Sequence, residues 1–248
     1  MVHNIYKPLG WTPLQTIDAF RQKYPDFADV PITYAGRLDP MAEGALVLLS
    51  GEDRYKKEEF LRLDKTYKAT FLFDVISDTY DCLGLVKAGS APGNLKSSDV
   101  TSFLLGTHTL PFPTYSSYKV QGKPLHWWAK EGRLGEIEIP KKEMTVLACG
   151  EARVYTQNFN EVRAGAIHRI KLVKGEFRQQ EGIESWDDLS GFDEVQLAEV
   201  TLKVTSGTYI RSLAEEMGRQ FGCGALLYSL KREAVDEYGV NKAMSFEI

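Results

Sequence analysis

The sequence predicts an α+β fold of mixed α/β composition, and three observations carry that prediction. Ala69, Phe71, Phe73 and Val75 alternate with Lys68, Thr70, Leu72 and Asp74, starting at Tyr67, which is the period-two pattern of a half-buried strand. Leu14, Ile17, Phe20 and Tyr24 form a stripe at helical spacing, as one face of a helix requires. The two patterns are interspersed without a regular βαβ rhythm, so a doubly wound parallel sheet is the poorer fit.

The first helix has a start signal in Thr12, an N-cap candidate just ahead of its stripe. Ala45 to Leu49 is a short continuous apolar run, consistent with a buried strand. Residues 89–96, GSAPGNLK, read as a loop. Residues 110–133, LPFPTYSSYKVQGKPLHWWAKEGR, open with two prolines and then interleave aromatic and basic side chains. Later, Val200, Leu202 and Val204 alternate as a strand that breaks at Ser206-Gly207. Leu213, Met217 and Phe221 follow at i, i+4 and i+8, and Gly222 is the stop signal. The chain contains no internal repeat and no low-complexity tract.

Bulk composition narrows the function classes. A chain of 248 residues, 43% hydrophobic and 26% charged, is a globular protein of one large domain or two small ones. No apolar run approaches the roughly 20 residues of a membrane helix. The start, MVHNIYKPLGW, lacks the apolar core of a signal peptide, so the expected location is cytoplasmic. Cys82, Cys149 and Cys223 are odd in number and contain no CxxC pair, which speaks against a disulfide framework or zinc site and for buried thiols. The net charge of −4 is unevenly spread. Residues 179–200 hold seven acids and no Lys or Arg, which leaves the remainder net positive. Arg163, Arg169, Lys171, Lys174 and Arg178 stand just before that stretch. A basic face for an anionic partner and ordinary solvated loops both fit this distribution.

Several stretches have the residue types of a functional site. In YAGRLDPMAEG, Pro40 biases Asp39 toward extended or turn backbone, while Gly36 and Gly44 let the chain bend or approach a ligand. Asp39 is then either a turn acid satisfying local N–H groups or a reactive carboxylate. In TSGTYIRS, Arg211 is able to hold an acid ionised through a bidentate pair, or to be a surface residue of the first helical turn. In DKTYKA, Tyr67 between Lys65 and Lys68 suits base stacking and equally core packing. In 110–133, Phe112, Tyr115, Tyr118, Trp127 and Trp128 mix with Lys119, Lys123, His126, Lys130 and Arg133. That is the composition of a loop-RNA contact, and also of a hydrophobic hairpin lying on its own domain. Asp78 and Asp81 in SDTYDCLG have no accompanying ligand set, so neither a metal site nor a glycosidase pair follows from them.

In this order, these stretches resemble the TruB family of pseudouridine synthases. The match runs through KPLGWT, AGRLDPMAEG, DKTYKA, SDTYDCLG, PFPTYSSYKVQGKPLHWWAKEG, SGTYIRSLAEEMG and GCGALLYSLKREAV, from about Lys7 to Val235. The resemblance implies a pseudouridine synthase fold, with a central mixed, largely antiparallel sheet flanked by helices. It implies one catalytic domain over 1–248, with an RNA-gripping insertion at about 110–133 and an acidic insertion or diverged loop at about 179–199. It implies isomerisation of a uridine, number 55 in the T-loop of tRNA, by base flipping and glycosidic bond cleavage, with no metal and no cofactor. Asp39 matches the catalytic aspartate, acting as nucleophile at C1′ or base at C2′. Tyr67 matches the tyrosine that stacks on the target base, Arg211 the arginine that pairs with the aspartate, and Leu230 an apolar residue of the base pocket. The same resemblance sets Tyr34, Arg37, Lys65, Tyr115, Lys119, Lys123, His126, Lys231 and Arg232 against RNA.

The chain also departs from the pattern. Tyr34 stands where bacterial members carry a histidine, and Arg37 and Glu43 replace small residues beside the aspartate. Arg37 makes the motif similar to the GRLD of ribosomal RNA pseudouridine synthases. The sequence leaves no room for a C-terminal PUA-type domain, so the expectation is weaker tRNA affinity, a different RNA, or an RNA-binding partner in its place. Ribosomal or other structured RNA is a second reading. A non-catalytic RNA-binding or RNA-folding paralogue is a third, which the joint retention of Asp39, Tyr67 and Arg211 opposes.

Overall fold

Local signals account for the first helix, the helix that carries Leu213 and Met217, and three of the strands. The computed structural model describes residues 1–90 and 93–246, so residues 91–92 of the predicted 89–96 loop lie outside the described residues. β1 (Val2–Lys7) leads to α1 (Pro13–Lys23), β2 (Ile32–Ala35), β3 (Ala42–Ser50) and α2 (Lys57–Arg62). Then come β4 (Lys65–Phe73), the paired β5 (Val75–Ser77) and β6 (Val86–Ala88), α3 (Ser97–Leu104) and β7 (Gly106–Pro111). The arm holds β8 (Lys119–Val120), β9 (Lys123–Pro124) and α4 (Leu125–Lys130). It is followed by β10 (Lys141–Cys149), β11 (Arg153–Asn158), α5 (Phe159–Lys171) and α6 (Gln179–Asp187). The chain closes with β12 (Glu194–Val204), α7 (Ile210–Gln220), β13 (Ala225–Val235) and β14 (Tyr238–Gly239).

α1 starts where its spacing predicts. The Gln15 N–H donates to the Thr12 hydroxyl at 3.2 Å and the Thr12 N–H donates to Gln15 Oε1 at 2.7 Å, a capping box that satisfies two otherwise orphaned donors. Ile17 and Phe20 are buried, whereas Leu14, the first member of the predicted stripe, is exposed at the rim of a cleft.

Ten of the strands form one sheet in the order β1-β3-β13-β4-β12-β10-β7, with β2 on β3, β11 on β12 and β14 on β13, while β5 pairs with β6 and β8 with β9 apart from it. The β3–β13 pairing is parallel and the other pairings within this sheet are antiparallel. Alternation along β4 predicts one solvated face, yet Thr70 and Leu72 are buried along with Ala69, Phe71 and Phe73. The reason is cover on both sides of the sheet. Phe71 and Phe73 pack with Leu104 of α3 and Leu213 and Met217 of α7. Leu72 packs with Val162 and Ile170 of α5 and Trp186 of α6. Asp74, at φ 73, ends the strand, so Val75 belongs to β5.

The acidic stretch is α6 and the start of β12 rather than a diverged loop. Gly182 and Trp186, four residues apart, face inward, while Glu181, Glu184 and Asp187 face solvent. The Trp186 indole is fully buried and donates to the Cys82 carbonyl at 3.0 Å, which satisfies its polar edge. Cys82 is buried, Cys149 and Cys223 are half-buried, and all three are free thiols.

Gly44 is the tightest point of the parallel pairing. It sits at φ 111 opposite Arg232, and a Cβ there would stand 2.2 Å from the Arg232 carbonyl oxygen. Gly44→Ala therefore meets both a disfavoured dihedral and a backbone clash. We expect it to cost about 2–4 kcal/mol, read as a drop in thermal midpoint of roughly 5 °C or more.

Candidate active site

The loop that carries Asp39 joins β2 to β3 and rests on buried cations. Arg232 of β13 is 1% exposed. Its Nε donates to the Ala45 carbonyl at 2.6 Å, Nη2 to Gly36 at 3.2 Å and Nη1 to Arg37 at 3.4 Å. Lys65 of β4 is also buried, and its ammonium donates to the carbonyls of Leu61 and Leu63 at 2.7 and 2.6 Å. Burial, reinforced by the charge of Arg232, pulls it down to about 8. Both residues, which the resemblance sets against RNA, line the cleft beside Asp39 with their cationic ends bonded to backbone carbonyls. Irregular backbone at the end of the sheet leaves carbonyls that need donors, and these two side chains supply them.

Lys7, at the end of β1, is fully buried and donates to the carbonyls of Pro8 and Trp11 at 2.9 and 2.6 Å. Burial pulls its ammonium down to about 7, against the field of Asp39, which favours the charged form. The Gly10 N–H donates to the Pro40 carbonyl at 2.8 Å, so the KPLG segment and the Asp39-Pro40 turn hold each other. Glu43 accepts from the Tyr6 hydroxyl at 2.5 Å on the flank of the same turn.

Arg211 lies on the buried side of the first turn of α7, with its side chain 7% exposed. Its Nη2 donates to Asp39 Oδ2 at 2.8 Å and reaches the Tyr115 carbonyl at 3.5 Å, while Nη1 donates to the Thr79 carbonyl at 2.9 Å. Its Nε faces Asp81 Oδ2 at 3.7 Å without a hydrogen bond. The two carboxylates are not equivalent. Asp39 has the short contact and a side chain 35% exposed to the cleft. Asp81 is buried, takes hydrogen bonds on Oδ1 from the Thr79 hydroxyl and the Leu83 N–H at 2.7 and 3.0 Å, and is pushed up by burial against the pull of Arg211. The arrangement presents one carboxylate to a ligand and keeps a second behind the guanidinium.

Asp39 opens into a cleft of about 550 Å³. Tyr67, Leu230, Val204, Ile210 and Tyr209 give it an apolar and aromatic lining, the kind of surface that accepts a planar base. The Tyr209 ring meets Phe112 edge-on at 5.5 Å, and burial and the Asp39 charge both raise its phenol. Arg37 and Tyr34 line the mouth, where Arg37 Nη2 donates to the Tyr34 hydroxyl at 3.2 Å. From the arm, Tyr115, His126 and Lys130 also line it, and the His126 ring Nδ1 bonds to the Ser116 carbonyl at 3.0 Å. Lys119 and Lys123 are exposed on the β8–β9 hairpin, with the Lys123 ammonium 5.0 Å from the Trp127 ring. Trp128 packs inward and donates to the Val120 carbonyl at 3.2 Å. The segment therefore has a packed inner side at Trp128 and exposed basic positions at Lys119 and Lys123. Lys231 is half-buried on β13 and does not line the cleft.

Sequence reasoning misses Asp81, Thr79, Tyr209 and Arg178, all of which line the cleft. The pairing of Asp78 with Arg178 at 2.9 Å and of Asp81 with Arg211 at 3.7 Å explains the two carboxylates of SDTYDCLG. The signal is present in that motif, but both arginines come from far along the chain. Among the described residues no three His, Cys, Asp or Glu side chains stand together as a metal site, and no helix is long and apolar enough to cross a membrane.

The same architecture occurs in solved structures. The structure matches a chain from "Crystal Structure of a Cbf5-Nop10-Gar1 Complex" with a TM-score of 0.57 over 99% of this chain, at 16% identity. It matches a chain from "Structure of H/ACA RNP bound to a substrate RNA containing 2'-deoxyuridine" with a TM-score of 0.53 over 98%, at 14% identity. It spans about half the length of each, 52% and 50%. The fold is thus that of a pseudouridine synthase. The chain belongs to the TruB family, whose model, "TruB family pseudouridylate synthase (N terminal domain)", matches residues 27–163. Curated relatives named tRNA pseudouridine synthase B include one from Opitutus terrae, 27% identical over 87% of this chain and 74% of the relative. Another, from Nitratidesulfovibrio vulgaris, is 31% identical over 96% of this chain and 64% of the relative.

The buried Lys7 gives a pH signature. Its ordinary value is 10.5 and its value in the fold about 7, so between those limits the unfolded chain binds more protons. Stability on this residue's account therefore rises with pH across that window. Urea unfolding at about pH 7 and about pH 9.5, for wild type and Lys7→Met, isolates the effect. The wild type should gain stability relative to the variant at the higher pH; a constant gap contradicts the assignment.

Proposed function

We propose that this protein isomerises a uridine to pseudouridine in RNA, at uridine 55 in the T-loop of tRNA, with Asp39 as the catalytic residue. The observation that carries the reading is the 2.8 Å pair between Arg211 and an Asp39 that opens into a base-sized, aromatic-lined cleft. The names of the curated relatives, tRNA pseudouridine synthase B, support the substrate class.

The chemistry asks for this set of groups. The N1–C1′ bond breaks, the uracil turns, and a C5–C1′ bond forms; the proton lost from C5 is balanced by one taken up at N1. A carboxylate acting on the ribose must stay ionised in a site that excludes water, and burial alone would raise its pKa. The Arg211 guanidinium opposes that rise and aims the carboxylate. The uracil stays in the cleft while detached, between the Tyr67 ring and Leu230. Getting it there means unstacking the nucleotide, at a cost of a few kcal/mol that contacts elsewhere must offset. The arm, with Lys119, Lys123 and His126 on its outer side and cleft edge, and the mouth pair Tyr34 and Arg37 supply such contacts. Affinity built on phosphate neutralisation falls with salt.

The decisive experiment maps pseudouridine in unmodified tRNA after incubation with wild type and with Asp39→Asn. We expect a single modified uridine in the T-loop, and a loss of roughly 10³-fold or more in the variant, with RNA binding retained. Product on ribosomal RNA but on no tRNA changes the substrate. Undiminished turnover in Asp39→Asn removes the catalytic assignment.

A further inference from the structure

The connection between α5 and α6 reaches the cleft through Phe177 and Arg178. It is a built element. The Phe177 N–H donates to Gln179 Oε1 at 2.8 Å, the Gln179 amide donates to the carbonyls of Val173 and Gly175, and the Lys174 N–H donates to the Gly10 carbonyl at 2.9 Å. The Lys174 ammonium also lies 4.3 Å from the Trp11 ring. These bonds tie the connection to the KPLG segment beneath Asp39.

Arg178 is held on two sides. Its guanidinium carbon lies 4.4 Å from the Tyr115 ring centroid, and its Nη2 donates to Asp78 Oδ2 at 2.9 Å. Asp78 is itself fixed, since its Oδ1 accepts from the Leu85 N–H at 2.8 Å. Among the described residues Asp78 is the one carboxylate paired with the Arg178 side chain, which remains 25% exposed. The guanidinium therefore keeps spare N–H donors in a preset plane. Three other cations of the cleft are committed, Lys65 and Arg232 to backbone carbonyls and Arg211 to Asp39, while Arg37 and Lys130 stand elsewhere on its lining. Arg178 is also close to the chemistry, because the Tyr115 that carries it offers its carbonyl to Arg211.

A nucleotide that presents its ribose to Asp39 carries a phosphodiester on each side of that ribose. A planar guanidinium with free donors matches two phosphate oxygens. Resting on the function proposed above, we propose that Arg178 binds the phosphodiester flanking the uridine held in the cleft, with Asp78 and Tyr115 setting its plane.

A cycle across the interface tests this. Affinity is measured in the Asp39→Asn background, so turnover does not interfere, for an RNA stem-loop carrying the target uridine. Two matching RNAs carry a neutral methylphosphonate in place of the phosphate on its 5′ or its 3′ side. Arg178→Ala should weaken binding of the unmodified RNA roughly tenfold or more. The neutral linkage at one of the two positions should cost a similar factor, and the two changes together no more than either alone. The slope of log affinity against log salt should fall by roughly 0.7 in the variant, the loss of one single-strand phosphate contact. Arg178→Lys, which keeps the charge and loses the fork, should recover only part of the affinity. If Arg178 merely braces the cleft, all three RNAs weaken by one factor and the slope is unchanged, which overturns the proposal. Wild type that forms pseudouridine while the cycle is additive loses only this inference. Failure to bind any of the RNAs overturns both readings.

Discussion

The buried Arg211 guanidinium is the constraint on which the site depends. It cannot lose its proton, and an enclosed cation without partners costs several kcal/mol. The surroundings must supply acceptors, and they come from segments far apart in sequence: Asp39 after β2, Thr79 and Asp81 after β5, and Tyr115 at the base of the arm. Satisfying one charge thus gathers Asp39, the turn behind it and the arm around one point. α7 is the rigid element that brings the charge there, because Leu213, Ala214 and Met217 on the same side of the helix are anchored in the core.

Beneath that cluster lies a second layer of cations whose donors are engaged by backbone carbonyls. Arg232 donates to the Gly36 and Arg37 carbonyls of the loop that carries Asp39, while Lys7 and Lys65 donate to carbonyls of their own neighbouring segments. Removing one of these donors would leave buried carbonyls unsatisfied, a penalty of about 1–3 kcal/mol apiece. The result is a carboxylate placed by its neighbours on every side, which is what preorganised catalysis requires. The arm is built differently. Its base is packed by Trp128, while its outer positions carry exposed Lys119 and Lys123.

The fold class, α1 with its cap and the buried β3 strand are legible in the sequence because each follows from spacing or pattern, while the pairing of Asp39 with Arg211 is implied only by the family resemblance. What escapes depends on how distant segments stack. β4 reads as half-buried since its alternation is real, but α5 and α6 cover the face that carries Thr70 and Leu72. The carbonyl bonds of Arg232 and Lys65 escape because a charged residue in a strand does not disclose which backbone is folded over it. α6 is concealed by its acids, which dominate the composition while Gly182 and Trp186 carry the inward face. Asp81 passes as a turn residue, as its meaning comes from an arginine 130 positions later.

The most direct test of this account is amide hydrogen exchange on wild type and Arg211→Lys. Lysine keeps the positive charge but cannot donate to Asp39, Thr79 and Tyr115 at once. Exchange should accelerate together in three separate segments, 36–42, 78–83 and 114–117, while the central strands β3, β4 and β12 stay protected. Acceleration confined to the Asp39 loop, with the other two segments unchanged, would contradict the claim that one buried charge holds the site together.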